Sequence, residues 1–356
     1  MNQQFYRHII SGSAKNIFAS LIRLSLFLPA VLYSAVIRLR NVLYNKNLLK
    51  SFKAAAPVIS IGNITAGGTG KTPLVIWLCN YLCRKDYKCA ILTRGYKSKK
   101  NKYSDEPAAL AKNCPSAKVI INPDRCEGAQ QAINQYHSQL LVMDDGFQHR
   151  RLKRDLDIIT VDSTNPFGYG KILPAGLLRE PLSALKRANA AILTRCDQVS
   201  DSHLHEIEQK LRKHNPDLKI ARTIHKPTRV VAFEKGCIQL DQIRNKKIFA
   251  FCGIGNPDSF FNTIKTLGCT LTGKRIYNDH HNYTKQDLTD IYEEAIYLQA
   301  DMILTTHKDW TKITLLPSAE KHPTLACLEV DIDFTQGFDT IKKLIDCCLA
   351  DKITPA

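Results

Sequence analysis

Residues 58–78 read V-I-S-I-G-N-I-T-A-G-G-T-G-K-T-P-L-V-I-W-L, and no other stretch narrows the possible folds of this chain as far. The β-branched run at 58–61 has the composition of a buried parallel strand, a glycine-rich turn follows, and Pro73 is expected at the first residue of a helix. A strand, a glycine loop and a helix start in that order make a phosphate cradle. Gly67, Gly68 and Gly70 let the backbone turn tightly and point successive N–H groups inward, and the helix N-terminus adds partial positive charge. The nucleotide-binding loop is thus read as Thr65, Ala66, Gly67, Gly68, Thr69, Gly70, Lys71 and Thr72. Lys71 is placed to reach the β- and γ-phosphates of a nucleotide and the Thr72 hydroxyl to ligand a magnesium ion. The general pattern G-x-x-x-x-G-K-[ST] has glycine where this chain has Thr65.

A second element belongs with the first. Leu140, Leu141, Val142 and Met143 run directly into Asp144 and Asp145, which gives a buried strand ending in two carboxylates. A carboxylate at that point holds magnesium from the side opposite Thr72, so Asp144 and Asp145 are read as metal ligands. Two adjacent carboxylates repel each other unless a cation lies between them. The intervening residues supply the rest of an α/β domain: a helix from 74, a strand at 89–93 ending in Arg94 and Tyr96, a further strand at 119–121, and a helix from about 127. Open α/β sheets bind ligands at the carboxyl edge of their strands, which is where Arg94 and Tyr96 fall.

Charge is unevenly distributed. The chain has 356 residues and a net charge of +17, and its first 85 residues contain eleven Lys and Arg and no acid. Such a balance selects an acidic partner: nucleic acid, a membrane surface or a phosphorylated small molecule. Residues 24–37 form an uncharged apolar run of 14, bounded by Arg23 on one side and Arg38 and Arg40 on the other. A spanning helix needs about 20 such residues, so the expectation is a helix lying in the membrane interface with its arginines among anionic headgroups. A cleaved signal peptide fits less well, because the apolar run begins late and the phosphate loop follows closely. The basic residues adjoin an apolar segment instead of alternating with exposed aromatics, which argues against a nucleic-acid-binding module. The twelve cysteines include no C-x-x-C and no zinc-like spacing, as suits buried thiols in a reducing compartment.

Further along, Thr194-Arg195-Cys196-Asp197 has the position, though not the lysine, of the base-reading element of GTP-binding proteins, so a membrane-associated GTPase switch is the competing reading. The β-rich, Pro-interrupted stretch 219–236 reads as a connecting ribbon. A second α/β unit then begins, with a strand at 248–252, a turn at 253–257 and a helix from 259. The expected division is an N-terminal basic and apolar segment at 1–53, a nucleotide-binding domain at 54–218, and a second domain with its ribbon at 219–356. Thr284 is expected to cap a helix, and residues 338–349 to form a short closing one.

Taken together, the chain resembles the tetraacyldisaccharide 4'-kinase (lipid A 4'-kinase) family of Gram-negative bacteria. The resemblance rests on G-N-I-T-A-G-G-T-G-K-T-P at 62–73, T-R-G-Y at 93–96, D-E-P at 105–107, P-D-R at 123–125 and D-D-G-F-Q-H at 144–149. L-P-A-G-x-L-R-E-P at 173–181, G-I-G-x-P at 253–257 and D-H at 279–280 complete it, in family order. This family tolerates threonine at position 65. The resemblance implies a P-loop NTPase-like α/β/α domain and a smaller second α/β/α domain, joined by a β ribbon, with the active site in the cleft between them. It implies transfer of the γ-phosphate of ATP to the 4'-hydroxyl of a tetraacylated glucosamine disaccharide 1-phosphate, giving lipid IVA, on the cytoplasmic face of the inner membrane. By position, Asp105 becomes the base and His280 the residue that orients it, with Lys71 neutralising the transferring group and Mg2+ held by Thr72, Asp144 and Asp145. Arg94, Tyr96, Arg125, Gln148, His149 and Arg179 become substrate contacts. One departure stands out: the family usually has T-E-K-D where this chain has Thr306-His307-Lys308-Asp309.

Overall fold

The computed structural model describes residues 3–95, 105–232, 236–279, 281–314, 316 and 323–350. The chain divides into two compact units, one formed by residues 1–224 and 334–356, the other by residues 225–333.

The first unit opens with helices α1 (Gln3–Ile10) and α2 (Ile17–Asn45) and then enters its sheet through β1 (Val58–Asn63). There follow α3 (Lys71–Cys83), β2 (Cys89–Thr93), α4 (Asp105–Asn113), β3 (Lys118–Ile121), α5 (Arg125–Tyr136), β4 (Leu140–Asp144) and β5 (Leu156–Asp162). The series ends with β6 (Ala190–Thr194), α6 (Asp201–His214) and the long β7 (Lys219–Ala232). The strand order in this unit is β3-β2-β4-β1-β5-β6-β7, and every pairing is parallel. From β1 the sheet grows to one side through β2–β4 and to the other through β5–β7, so the carboxyl end of β1 lies where the direction of growth reverses, a natural ligand site.

A parallel sheet must be covered on both faces, and the strands read accordingly as unbroken apolar runs. Ile59 and Ile61 of β1 face a core built with Leu74, Leu78 and Leu82 of α3, while Val58 faces the opposite one with Ala129 and Ala132 of α5. Each fully buried Leu or Ile contributes about 1.5–3 kcal/mol, enough in sum to fix β1 and with it the loop at its end. Helix α3 begins at Lys71, so Pro73 is its third residue instead of its first. It still falls in the first turn, where no N–H is required.

Helix α2 is longer than the 14-residue apolar run suggested. It spans 29 residues, with Asn16 as its N-cap, and is long and apolar enough, by length and composition, to cross a membrane. Its two sides differ. Ala19, Ala30 and Ile37 are buried, whereas Ile17, Leu21, Leu24, Leu28, Val31, Leu32, Leu39 and Val42 are exposed at helical spacing. The buried side is held by polar bonds: Tyr33 Oη donates to Arg179 O at 3.0 Å, and Asn41 Nδ2 to Glu180 Oε2 at 2.8 Å. Arg40 donates to Gln148 O, and Arg150 to Asn41 O at 3.0 Å and Asn45 Oδ1 at 2.8 Å.

The second unit contains β8 (Gly236–Ile238), which pairs antiparallel with β7, and then β9 (Lys247–Cys252), α7 (Pro257–Thr266), β10 (Thr270–Ile276), α8 (Lys285–Tyr297), β11 (Met302–Thr306), α9 (His307–Ile313) and β12 (Thr324–Gln336). Its strand order is β10-β9-β11-β12, parallel throughout. Phe260, Phe261 and Ile264 of α7 pack with Ile248 and Ala250, and α8 and α9 cover Phe249 and Phe251 on the other face. Thr284 caps α8 in a reciprocal capping box with Asp287, as its position suggested.

The chain passes from the first unit to the second within β7 and returns within β12, and α10 (Phe338–Ala350) then folds back on the first unit. That differs from the division expected from chain order, which gave everything after 218 to the second domain. Ile341, Ile345 and Leu349, spaced four apart, join the core beneath α3, and the Trp77 ring packs at a tilt against Phe334 with 4.8 Å between ring centroids. An amphipathic helix at a chain end docks wherever an apolar face is left uncovered, and sequence order does not show which face that is.

Candidate active site

The phosphate loop is held at both ends by buried hydrogen bonds. Asn63 Nδ2, at the end of β1, donates to Thr65 O at 2.7 Å and to Thr69 Oγ1 at 3.0 Å. The Thr69 hydroxyl meets Thr160 Oγ1 of β5 at 2.7 Å, and Thr194 Oγ1 of β6 donates to Thr69 O at 3.0 Å. On the outer side Ala66 N donates to Leu177 O at 2.7 Å and Arg179 N to Ile64 O at 2.7 Å. The run at 173–181 is therefore a brace for the loop. Thr65 pairs with Leu178 in an antiparallel bridge and does not adopt a positive φ, so the glycine of the general pattern is not needed there. Gly67 and Gly70 do need it, at φ 120° and 84°.

Lys71 points to Asp145, with Nζ 3.3 Å from Oδ1. Arg179 reaches the same carboxylate, its Nη1 lying 3.0 and 2.9 Å from the two oxygens and 3.4 Å from Gln148 Oε1. Gln148 Nε2 in turn donates to Asn63 O at 2.8 Å. Burial pushes the Asp145 carboxyl upward, but Lys71 and Arg179 outweigh it and hold the group below the usual carboxylate range. Its side chain remains 38% exposed despite this crowding, so solvent screens the pair and the energy involved is small. The repulsion expected between two adjacent carboxylates is thereby answered by two cations on Asp145. Asp144 is buried, at the end of β4, and Thr93 Oγ1 lies 3.4 Å from its Oδ2.

Arg125 is 5% exposed and donates to Asn122 O at 3.1 Å. Burial lowers the affinity of its guanidinium for the proton, and nearby Asp144 and Asp145 partly restore it. His149 has a buried Nε2 without a hydrogen-bond partner among the described residues. Burial first, and then the positive charge of Arg125, bring this imidazole down to about 4. Arg94 is exposed beyond the end of β2. The structure thus brings Lys71, Asp145, Gln148 and Arg179 into one network, with Arg125 and Asp144 close by. Tyr96 and His280 lie outside the described residues, and Asp105 is described only as the backbone that opens α4.

Several contributors carry no sequence signal of their own. Glu180 is fully buried and held by Arg187, whose Nη2 lies 3.0 Å from Oε1, and by Asn41 of α2. Helix α1 docks beside the loop: Tyr6 Oη donates to Pro174 O, and a Cβ built at Gly67 would lie 3.3 Å from Arg7 Nη2. The tetrapeptide at 194–197 is structural. Arg195 is buried and its Nη1 lies 2.6 Å from Asp162 Oδ2, so it is committed to an ion pair and cannot read a base. The Thr306–Asp309 segment caps α9: Thr306 Oγ1 meets Asp309 Oδ2 at 2.7 Å, and Gly253 N donates to the same oxygen at 2.9 Å. His307 is the first residue of that helix. Beside position 280, Lys308 Nζ pairs with Asp279 Oδ1 at 2.9 Å, and Lys312 Nζ donates to His281 O at 2.9 Å.

Comparison with known proteins agrees with this geometry. A family model described as LpxK, tetraacyldisaccharide-1-P 4'-kinase, matches residues 22–346. The tetraacyldisaccharide 4'-kinase of Halothermothrix orenii is 33% identical over 340 residues, covering 88% of each chain. That of Syntrophus aciditrophicus is 36% identical over 337 residues, covering 87% of this chain and 89% of its own. A crystal structure of LpxK from Aquifex aeolicus, an "apo" form in complex with ATP, superposes with a TM-score of 0.68 at 28% identity, covering 92% of this chain and 99% of the other. With its braced phosphate loop, its strand-end acids and a match that runs nearly end to end, the chain belongs to the tetraacyldisaccharide-1-P 4'-kinase family.

Proposed function

We infer that this chain is an ATP-dependent lipid kinase that transfers the γ-phosphate of ATP to the 4'-hydroxyl of a tetraacylated glucosamine disaccharide 1-phosphate, a lipid A precursor. The observation that carries the reading is the Lys71–Asp145–Arg179 cluster on a phosphate loop, in a chain of this family. Phosphoryl transfer demands little covalent chemistry of a protein, so positioning and electrostatics dominate. Lys71 and the loop N–H groups of residues 65–72 bind the nucleotide phosphates. Asp105 accepts the proton of the 4'-hydroxyl as its oxygen attacks the γ-phosphorus, and ADP departs. His280 orients Asp105 and sustains its basicity.

The donors at the loop fit a magnesium ion. Thr72, Asp144 and Asp145 offer hard oxygen ligands, and among the described residues no group of three or more His, Cys, Asp or Glu forms an all-protein cage. Magnesium is typically held by one or two carboxylates, with phosphates and water completing the set. Both oxygens of Asp145 face Lys71 and Arg179, so Thr72 and Asp144 are the better-suited pair, and Asp145 serves by orienting the two cations. When bound, the ion neutralises charge on the phosphates. Gln148 and Arg179 brace the loop, His149 stays neutral beside Arg125, and Arg94, Tyr96 and Arg125 are left as contacts for the phosphate and sugar of the acceptor.

The same reading places the protein on a membrane. Helix α2 turns Ile17, Leu21, Leu24 and Leu28 outward, 59–81% exposed, while its other side is bonded to the kinase unit through Tyr33, Arg40 and Asn41. A helix that buries one side at Ala19, Ala30 and Ile37 and is bonded to a soluble unit from Tyr33 onward lies on the bilayer instead of crossing it, apolar side down. ATP is available on the cytoplasmic face of the inner membrane, and the acceptor is delivered there in the bilayer. Incubation with labelled ATP, magnesium and the disaccharide lipid, followed by thin-layer separation, tests the activity. A labelled, doubly phosphorylated lipid is expected, whereas label released only as inorganic phosphate would point to a nucleotide switch.

A further inference from the structure

Helix α1 precedes the family match, which begins at residue 22, so nothing in the family assignment gives it a role. It is nevertheless firmly seated. Ile9 and Ile10 are 1% and 4% exposed, Tyr6 Oη donates to Pro174 O in the brace of the phosphate loop, and Arg23 Nη1 of α2 donates to Ile9 O at 3.2 Å and Ala14 O at 2.7 Å. These bonds fix both the turn between α1 and α2 and the face that α1 turns to the loop. On that face stands Arg7, with a guanidinium nitrogen 3.3 Å from where a Cβ at Gly67 would lie. Gly67 has φ 120°, a conformation that side-chain-bearing residues rarely adopt, so the loop surface beneath Arg7 stays bare backbone.

We propose that Arg7 is a cis-acting arginine of the phosphate loop, contacting the terminal phosphates of the bound nucleotide. The claim rests on the reading of residues 65–72 as the ATP site. A guanidinium presents five N–H donors in a plane that matches phosphoryl oxygens, and it keeps its charge at any working pH. Charge spreads over the equatorial oxygens of the transferring group, and an arginine brought beside a phosphate loop stabilises it there. The seating of α1 supplies what such an arginine needs, namely a fixed approach to the loop from outside it.

The test uses the full-length enzyme in mixed micelles with ATP, magnesium and the disaccharide lipid, comparing Arg7→Ala with Lys71→Ala. Arg7→Ala is expected to lower kcat by about 10²-fold, the size seen for loss of one preorganised donor. The KM for ATP should change less than kcat, and millimolar methylguanidinium should restore a measurable part of the rate. Rescue by a free guanidinium is a signature that a purely structural role for α1 would not produce. Unchanged kcat in Arg7→Ala, or a loss that methylguanidinium leaves untouched, overturns the proposal. An active Lys71→Ala enzyme would instead undo the reading of the loop beneath it. An inactive Lys71→Ala beside a fully active Arg7→Ala would remove only the role given to Arg7.

Discussion

Replacing Arg187 by alanine isolates the buried ion pair at Glu180, the residue of the phosphate-loop brace to which Asn41 of α2 is bonded. Glu180 has a side chain 1% exposed and accepts from Arg187 Nη2 at 3.0 and 3.1 Å and from Asn41 Nδ2 at 2.8 Å. Removing one partner of a buried pair costs about 3–5 kcal/mol, because the remaining charge is left uncompensated. The surviving bond from Asn41 to the carboxylate keeps the loss toward the lower end. Arg187 also lies over the ring of Phe147, 4.5 Å from its centroid, a contact worth about 0.5–1 kcal/mol that disappears with it. The expected total is about 4 kcal/mol. For a unit of this size that corresponds to a fall of about 8–16 °C in the melting temperature of the first unit. The two tryptophans fall one in each unit, so in a Trp310→Phe background the fluorescence of Trp77 follows the first unit alone. Adding Glu180→Gln to Arg187→Ala should recover about two-thirds of the loss, since it removes the stranded charge and not the missing ring contact. A loss below about 1 kcal/mol, or a double variant as unstable as Arg187→Ala, would refute the argument.

Three further outcomes are expected. Asp105→Ala and His280→Ala should each lower kcat by about 10²-fold or more with little change in ATP affinity, and the double variant should be no worse than either single one; additive losses would separate the two residues. His149 is held at about 4 against an ordinary 6.5, so the unfolded chain takes up its proton first as pH falls. Its contribution to stability is therefore complete above 6.5 and is lost as pH drops toward 4, and the melting temperature of a His149→Asn variant should fall less steeply across that interval than that of the wild type. Leu24→Ser with Leu28→Ser alters residues that are 70% and 65% exposed, so the fold should be unaffected. Removing two lipid-facing leucines at about 1.5 kcal/mol each should weaken binding to anionic vesicles by about 10²-fold in a sedimentation assay, and unchanged binding would remove α2 from the membrane surface.

The loop, its strand and the Asp144–Asp145 pair were legible in the sequence because each is a local pattern whose chemistry lies within a few residues. The Thr284 cap is of the same kind. What was not legible depends on pairs far apart in the chain. Asn41 and Glu180 are separated by 139 positions, and nothing near either one predicts the other. Arg195 looked like part of a base-reading element because Asp162, its partner 33 positions earlier, lies on the neighbouring strand. The return of α10 to the first unit, and the approach of α1 to Gly67, were hidden for the same reason. An amphipathic pattern reports that a face is buried and is silent on what covers it. The length of α2 was underestimated because the charged residues bounding its apolar core are themselves helical and bond to the kinase unit.

Phosphorus NMR of the isolated product shows whether phosphate has moved from ATP to one particular hydroxyl of the lipid. A new phosphomonoester resonance coupled to the proton at the 4' carbon is expected, formed by the wild-type chain and not by Lys71→Ala. A resonance coupled elsewhere on the disaccharide, a diphosphate at the 1 position, or product formed equally by Lys71→Ala would contradict it.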